Sequence, residues 1–288
     1  METTVLAYGK LNLSLDVLQK RPTGYHDLKM VMETVELHDR LDITVTQGRG
    51  IRATSNLPYL PADGRNIAVK AAAVFFRELG LPEQQVSIRL HKRIPVGAGM
   101  AGGSSNAAAV LRGLDALMGT TLPVERLQEL GGLLGSDVPY CIAGGTVLAE
   151  GRGDVMTPLS PLPPCHIVIA KPKFSISTAS LFARIDCGKI RHRPDTEGIL
   201  GALETGQLGE VALRMYNVFE DVLDSRSKDV AQIKSTLLDC GALGASMTGT
   251  GPAVFGLFDD ESLAKAAWER LKETYPETFL TRNRGIII

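Results

Sequence analysis

The chain is 288 residues long, 44% hydrophobic and 22% charged, with a formal net charge of −1 at pH 7. That length suits about two domains with a real core, and the near-neutral balance excludes a broad nucleic-acid footprint, so an anionic ligand must be bound locally. The four cysteines (Cys141, Cys165, Cys187, Cys240) form no C-x-x-C pair and read as reduced thiols; with no basic leader and no window long enough for a bilayer span, the expected setting is the cytoplasm, without a membrane partner.

From the N-terminus, residues 5 to 16 alternate, predicting a strand with Val5, Ala7, Gly9, Leu11, Leu13 and Leu15 on a buried face. Lys10 and Asn12 then share the less apolar face. Arg21-Pro22-Thr23-Gly24 signals a turn. Tyr25 and His26 follow it, either as hinge packing or as an aromatic platform and a donor for a flat heterocycle. Two further strands are predicted over 28–37 and 41–46, joined near His38-Asp39-Arg40. After a proline-rich connection from Leu57 to Gly64, Asn66 opens a helix that Gly80 and Pro82 close. Val86, Ile88 and Leu90 then form an amphipathic strand.

That strand delivers the chain to Pro95-Val96-Gly97-Ala98-Gly99-Met100-Ala101-Gly102-Gly103-Ser104-Ser105. So much glycine suits neither a helix nor a strand interior. Ser104 and Ser105 offer cap oxygens, and Ala107, Ala108, Val110, Leu111 and Leu114 recur at helical spacing. A tight turn before a core helix would account for some of this. The glycine density and paired serines favour a cradle of unpaired amides at the positive end of a helix, which suits phosphate. The loop lacks the lysine of a P-loop. Gly97, Gly99 and Gly102 spell the dinucleotide fingerprint, but the alternating strand before them is wrong for a Rossmann unit.

Downstream, a helix is expected from Val124 to Leu134. Asp137 follows a helix stop, as an N-cap or as a carboxylate at a site mouth able to orient or deprotonate a nucleophile. A strand follows Gly144-Gly145. Pro158 to Pro164 marks the best domain boundary, dividing the chain into 1–160 and 161–288. A strand over 166–170, a helix with Thr178 as its cap, helical patterns over 196–239, a second glycine turn at Thr248-Gly249-Thr250-Gly251, a strand over 253–258, a helix over 261–274 and a closing strand over 285–288 complete the reading. Arg191-His192-Arg193 reads as a solvated loop. The fold class is α+β in two halves, and the pattern leaves the oligomeric state open.

Three motifs in order, Lys10-Leu11-Asn12-Leu13, Pro95 to Ser105, and Thr248 to Pro252, resemble the signatures of the galactokinase, homoserine kinase, mevalonate kinase and phosphomevalonate kinase superfamily. Together with Arg21 to His26 and Gly135-Ser136-Asp137-Val138, they are similar to the branch formed by the 4-diphosphocytidyl-2-C-methyl-D-erythritol kinases of the non-mevalonate isoprenoid route. The resemblance implies a two-domain small-molecule kinase fold with a mixed sheet and helices in each half. It also implies ATP-dependent phosphorylation of the 2-hydroxyl of a cytidine diphosphate substrate. By the same resemblance Pro95, Val96, Gly97, Ala98, Gly99, Met100, Ala101, Gly102, Gly103, Ser104 and Ser105 wrap the ATP phosphates, with Asn66 near the adenine. Lys10 and Asp137 are the catalytic pair. Tyr25 and Phe182 resemble the rings that sandwich cytosine, His26 and Asn12 its hydrogen-bond partners, and Thr178 a group near that pocket. Magnesium is expected with ATP, with no acidic metal cage in the protein. Three departures from the pattern stand out: Tyr8-Gly9 before the lysine, Met100-Ala101 within the loop, and threonines at 248 and 250. The rival expectations are a superfamily kinase for a different small alcohol, against which Tyr25, His26 and Phe182 argue, and a non-catalytic relative, against which Lys10 and Asp137 argue.

Overall fold

Two long antiparallel strands, β1 (Glu2–Lys20) and β2 (His26–Thr46), begin the chain. The turn between them uses Gly24 at φ +88°, where an L side chain is rarely found. The computed structural model describes residues 1–224 and 228–287. β3 (Gly50–Ser55), α1 (Ile67–Glu78) and β4 (Gln85–His91) follow, then α2 (Gly102–Met118), α3 (Val124–Gly132) and α4 (Val138–Ala143). The hairpin β5 (Val147–Gly151) and β6 (Val155–Pro158) leads through the proline-rich stretch to β7 (His166–Lys171). Next come α5 (Thr178–Phe182), α6 (Thr196–Glu204), α7 (Leu208–Leu213), the two-residue β8 (Tyr216–Asn217) and a 3-10 turn at Val218–Val222. The chain ends with α8 (Lys228–Asp239), β9 (Gly244–Met247), β10 (Val254–Phe258), α9 (Glu261–Lys272) and β11 (Glu277–Arg284).

β2 is the hub. One of its edges pairs with β1, and the other is shared in three sections: Leu28–Met32 with β5, Thr34 and Val35 with β11, and Arg40–Thr46 with β4. β11 also pairs with β7, which pairs with β10 and, through it, with β9. The last strand thereby joins the C-terminal strands to β2. One core layer packs Leu41, Ile43, Ile88 and Leu90 against Phe75 of α1 and Ala107–Leu111 of α2. The other packs Leu11, Val35, Ile169 and Phe255 against Ile199 of α6 and Val211 of α7. Each fully buried large side chain here contributes about 2 kcal/mol. α2 lies close to the sheet at Gly113, where a Cβ would come within 2.7 Å of Ile43 and 2.9 Å of Val5.

Several expectations need correction. β1 is buried on both faces, and its pairing with β2 shifts register three times: at Gly9, where β2 carries two extra residues, and at Leu13 and Leu18, where β1 carries one each. Ala7, Leu15 and Val17 face the first core layer while Leu11 and Leu13 face the second. His38-Asp39-Arg40 is no connection: β2 runs straight through it, since Asp39 is fully buried and hydrogen-bonded. The final strand is Glu277–Arg284, held between β2 and β7, and not 285–288. Ile286 makes only an isolated bridge to Gly144, and Ile288 lies outside the described residues. β3, β6 and β9 carry too little apolar alternation to be foreseen.

Candidate active site

A cavity of about 1120 Å³ is lined from both core layers, by Leu90 of the first and Met100 of the second. Its walls include Lys10 and Asn12 of β1, Tyr25 and His26 at the start of β2, Asn66, every residue from Pro95 to Gly103, Asp137, and Thr178 and Phe182 of α5. Gly249, Thr250 and Gly251 also line it. Ser104 and Ser105 do not.

The loop is built on left-handed residues, with Gly97 at φ +64°, Gly99 at +78° and Ala101 at +54°. Ala101 occupies the N-cap position of α2 and makes no side-chain cap, so the helix starts at Gly102, before the serines. The expected capping by Ser104 and Ser105 is thus replaced. Ser105 is buried inside the first turn and its hydroxyl donates to the Tyr8 carbonyl at 2.6 Å. The first backbone bond of the helix runs from Ser105 N to Ala101 O at 2.8 Å. The amides of Gly102, Gly103 and Ser104 precede it, at the positive end of a 17-residue helix.

The two glycine turns interlock. A Cβ on Gly99 would lie 2.1 Å from the Thr248 carbonyl, and one on Gly249 would lie 2.7 Å from the Gly99 carbonyl. Only glycine permits this approach. The second turn is held from behind by Asn217, whose Nδ2 donates to Met247 O and Gly249 O, both at 2.8 Å. The loop is tied to β1 as well, by Lys10 N donating to Met100 O at 3.2 Å.

Lys10 and Asn12 line the cavity and are shielded from bulk solvent, Lys10 being 5% exposed and Asn12 fully buried. Lys10 Nζ donates to Asn12 Oδ1 at 2.5 Å, and Asn12 N donates to Thr248 Oγ1 at 3.1 Å. Asn12 Nδ2 is spent on Met30 Sδ at 3.2 Å. Burial pushes the Lys10 ammonium below the usual lysine range; the Asp137 carboxylate, and after it Cys141, pull it back up. Asp137 stands at the N-cap position of α4 without capping it, so the carboxylate is left to the cavity. Residues 127 positions apart in sequence thus line one cavity and interact through their charges.

α5 lines the same cavity through Thr178, Ala179 and Phe182. Its N-cap is Ser177, whose hydroxyl accepts from Ser180 N, and not the expected Thr178. The Thr178 hydroxyl instead meets that of Thr250 at 2.9 Å, joining this strap to the second glycine turn. Arg193, expected in a solvated loop, donates to Asp16 Oδ1 at 2.6 Å and fastens the same segment to β1. Phe182 packs edge-on against Phe219, with ring centres 4.8 Å apart, and tilted against His26 at 5.1 Å. Tyr25 is 55% exposed and its face carries the Arg152 guanidinium, 4.1 Å from the ring centre. Desolvation, and then Lys20, lower the His26 pKa.

The sequence reading missed several lining residues. Lys20, Arg65 and Arg152 add to Lys10, against Asp137 as the one carboxylate among the lining residues; Lys92 lines the cavity too, with its charge met by the buried Asp39. This excess of positive charge suits a polyanionic ligand. Arg152 sits in a hairpin turn of ordinary polar appearance, and Lys92 in a His-Lys-Arg run at a strand end, so neither carried a signal. Among the described residues, no three His, Cys, Asp or Glu side chains gather in a metal-binding group. No helix among them is long and apolar enough to cross a membrane.

Comparison with known proteins gives the family. Residues 66–145 match the GHMP kinases N terminal domain and residues 199–277 the GHMP kinases C terminal domain. The 4-diphosphocytidyl-2-C-methyl-D-erythritol kinase of Clostridium botulinum is 41% identical over 278 residues, covering 96% of this chain and 99% of the relative. That of Clostridium perfringens is 43% identical, covering 96% of both. A crystal structure of 4-(cytidine 5'-diphospho)-2C-methyl-D-erythritol kinase superposes with a TM-score of 0.83 at 32% identity, over 99% of this chain and all of the other. Homoserine kinase from Cytophaga hutchinsonii shares the fold at a TM-score of 0.77 and 19% identity, over 99% of this chain and 95% of the other. The chain belongs to the GHMP kinases and, among them, to the 4-diphosphocytidyl-2-C-methyl-D-erythritol kinase family.

Proposed function

We propose that the cavity transfers the terminal phosphate of ATP to the 2-hydroxyl of 4-diphosphocytidyl-2-C-methyl-D-erythritol, a step of the non-mevalonate route to isoprenoid precursors. Family membership makes the chain a small-molecule kinase that uses ATP as its phosphate donor. The observation that carries the substrate reading is a single cavity with an amide-rich glycine loop, the buried Lys10, Asp137 and a cluster of rings along its walls.

Phosphoryl transfer asks for positioning and charge stabilisation more than for covalent chemistry. The loop from Pro95 to Ser105 holds the triphosphate through backbone amides, with Asn66 beside the adenine. Asp137 orients the acceptor hydroxyl or takes its proton. Lys10 lowers the demand on Asp137 by its charge and steadies negative charge building on the transferred group. Asn12 aims Lys10, as its bond to Nζ indicates, besides its expected place near the base. Tyr25, His26, Thr178 and Phe182 take the cytidine end, Arg152 over Tyr25 adding a cationic plane. With one lining carboxylate and, among the described residues, no acidic metal-binding group, the donor set suits a Mg²⁺ ion held mostly by phosphate oxygens. Bound there, the ion supplies charge neutralisation on the phosphates.

A coupled ADP-release assay tests the reading. Turnover is expected with the cytidyl substrate and not with homoserine or mevalonate. Equal turnover with either of those, and none with the cytidyl compound, rules the assignment out.

A further inference from the structure

Asp39 lies in the middle of β2, fully buried and outside the cavity wall. Its Oδ1 accepts from two backbone amides, Arg93 N at 2.6 Å and Ile94 N at 2.8 Å. Its Oδ2 accepts from Asn106 Nδ2 at 2.8 Å and forms an ion pair with Lys92. Lys92 Nζ also donates to Asn106 Oδ1 at 3.0 Å, closing a ring of three side chains. The backbone of Lys92 is pinned in turn by Asn56, which accepts from Lys92 N at 2.8 Å and donates to Lys92 O at 3.1 Å.

The placement of these partners is what matters. Residues 92–94 are the last before the glycine loop leaves at Pro95, and Asn106 follows immediately where the loop has become α2. One carboxylate therefore grips both ends of the loop. The fit is tight: a Cβ on Gly102 would lie 3.0 Å from Ile94 Cγ2 and 3.3 Å from Lys92 Nζ. Lys92 also stands beside the positive end of α2, where an unpaired buried ammonium would repel the helix terminus. The carboxylate offsets that charge at the place where the loop must keep its shape.

We infer that Asp39 is a positioning residue for phosphate binding: it fixes residues 92–94 against Asn106, so that the loop amides stand in their binding arrangement before nucleotide arrives. A loop rich in glycine has much conformational freedom to lose, and ordering it in advance removes that cost from binding. The inference rests on the proposal that this loop is the nucleotide site.

The full-length enzyme tests it with Asp39→Asn and the milder Asn106→Ala, which leaves the Asp39–Lys92 pair in place. Two quantities are read: hydrogen exchange of the 95–105 segment without nucleotide, and affinity for a non-hydrolysable ATP analogue and for the cytidyl substrate. In Asp39→Asn the segment is expected to exchange faster than the rest of the chain. Analogue affinity is expected to fall tenfold or more, with substrate affinity within twofold of wild type. Asn106→Ala shows the same selective rise in exchange, and decides the matter alone if Asp39→Asn does not fold. Unchanged exchange in the segment, or a rise spread evenly over the chain, overturns the inference. Faster exchange in the segment with unchanged analogue affinity leaves the tie standing and removes the loop from the nucleotide site.

Discussion

Glu33 offers a quantitative test of how this sheet tolerates charge. It sits on β2 opposite Leu11 and is 1% exposed. Its carboxyl accepts from Thr146 Oγ1 at 2.6 Å and from the Arg284 backbone amide. Burial outweighs both bonds and pushes its pKa up to about 8. Between the ordinary glutamate range and that value the folded chain keeps a proton that the unfolded chain has released. Stability is therefore full below about pH 4.5, falls as pH rises towards 8, and is flat beyond. At about 1.4 kcal/mol per unit, the loss across this window is on the order of 5 kcal/mol, or roughly 10 °C in melting temperature for a chain of this size. Glu33→Gln carries no such proton. At pH 5 it should be the less stable protein by about 1 kcal/mol, because one amide oxygen replaces two carboxyl acceptors. At pH 8.5 it should be the more stable. Thermal unfolding of both proteins from pH 5 to pH 9 should give curves that cross. Curves that stay parallel would show that Glu33 ionises as it does in water, and would refute the reasoning.

Asp137→Asn should bind ATP almost as wild type does and lose about 100-fold or more in turnover; wild-type rates would remove Asp137 from the chemistry. Because its charge raises the Lys10 pKa, the same variant should move the alkaline limb of the pH–rate profile to lower pH. Gly99→Ala forces a Cβ to within 2.1 Å of the Thr248 carbonyl, so ATP affinity measured by calorimetry should fall 100-fold or more, and an unchanged value would contradict the interlocked turns. Ala101→Gly relieves a left-handed alanine at φ +54° and should raise stability by about 1 kcal/mol in denaturant unfolding. Tyr25→Ala should weaken the cytidyl substrate; a change confined to the Michaelis constant for ATP would contradict its placement.

What could be read from the residues, and what could not, divides along the range of the physics involved. The glycine loop was legible because its requirements are local: positive φ and exposed amides at a helix start call for glycine in any tertiary setting. The helix opened by Asn66 was legible for the same reason, and its Oδ1 does accept from Ala68 N at 3.0 Å. Lys10 and Asn12 were correctly paired on one face, yet the face was read as the less apolar side of a half-buried strand. A two-residue period holds only while no residue is inserted, and the extra residues of β1 at Leu13 and Leu18, like those of β2 opposite Gly9, leave no mark in composition. The cap positions failed more narrowly. Serine is a good N-cap, but Ala101 in the left-handed region starts α2 earlier, and the serines fall inside the first turn.

Asp39 and β11 were illegible for a deeper reason. A charged residue in a polar triplet is most economically read as a turn, because burying a carboxylate is unfavourable unless several donors meet it. Here they do, but Lys92 and Asn106 lie 53 and 67 positions away. Glu277–Arg284 has few apolar residues and becomes a strand because β7 and β2 each present an edge to it. Both cases depend on partners that a local window never contains. The contrast bears on the site itself. Residues that touch a phosphate must satisfy backbone geometry where they stand, so they announce themselves. Residues that hold the loop in place need only reach it from elsewhere, and many sequences would serve. The supporting network is therefore where structure adds most to the reading of this enzyme, and where a substitution distant from the chemistry, such as Asp39→Asn, should reach it.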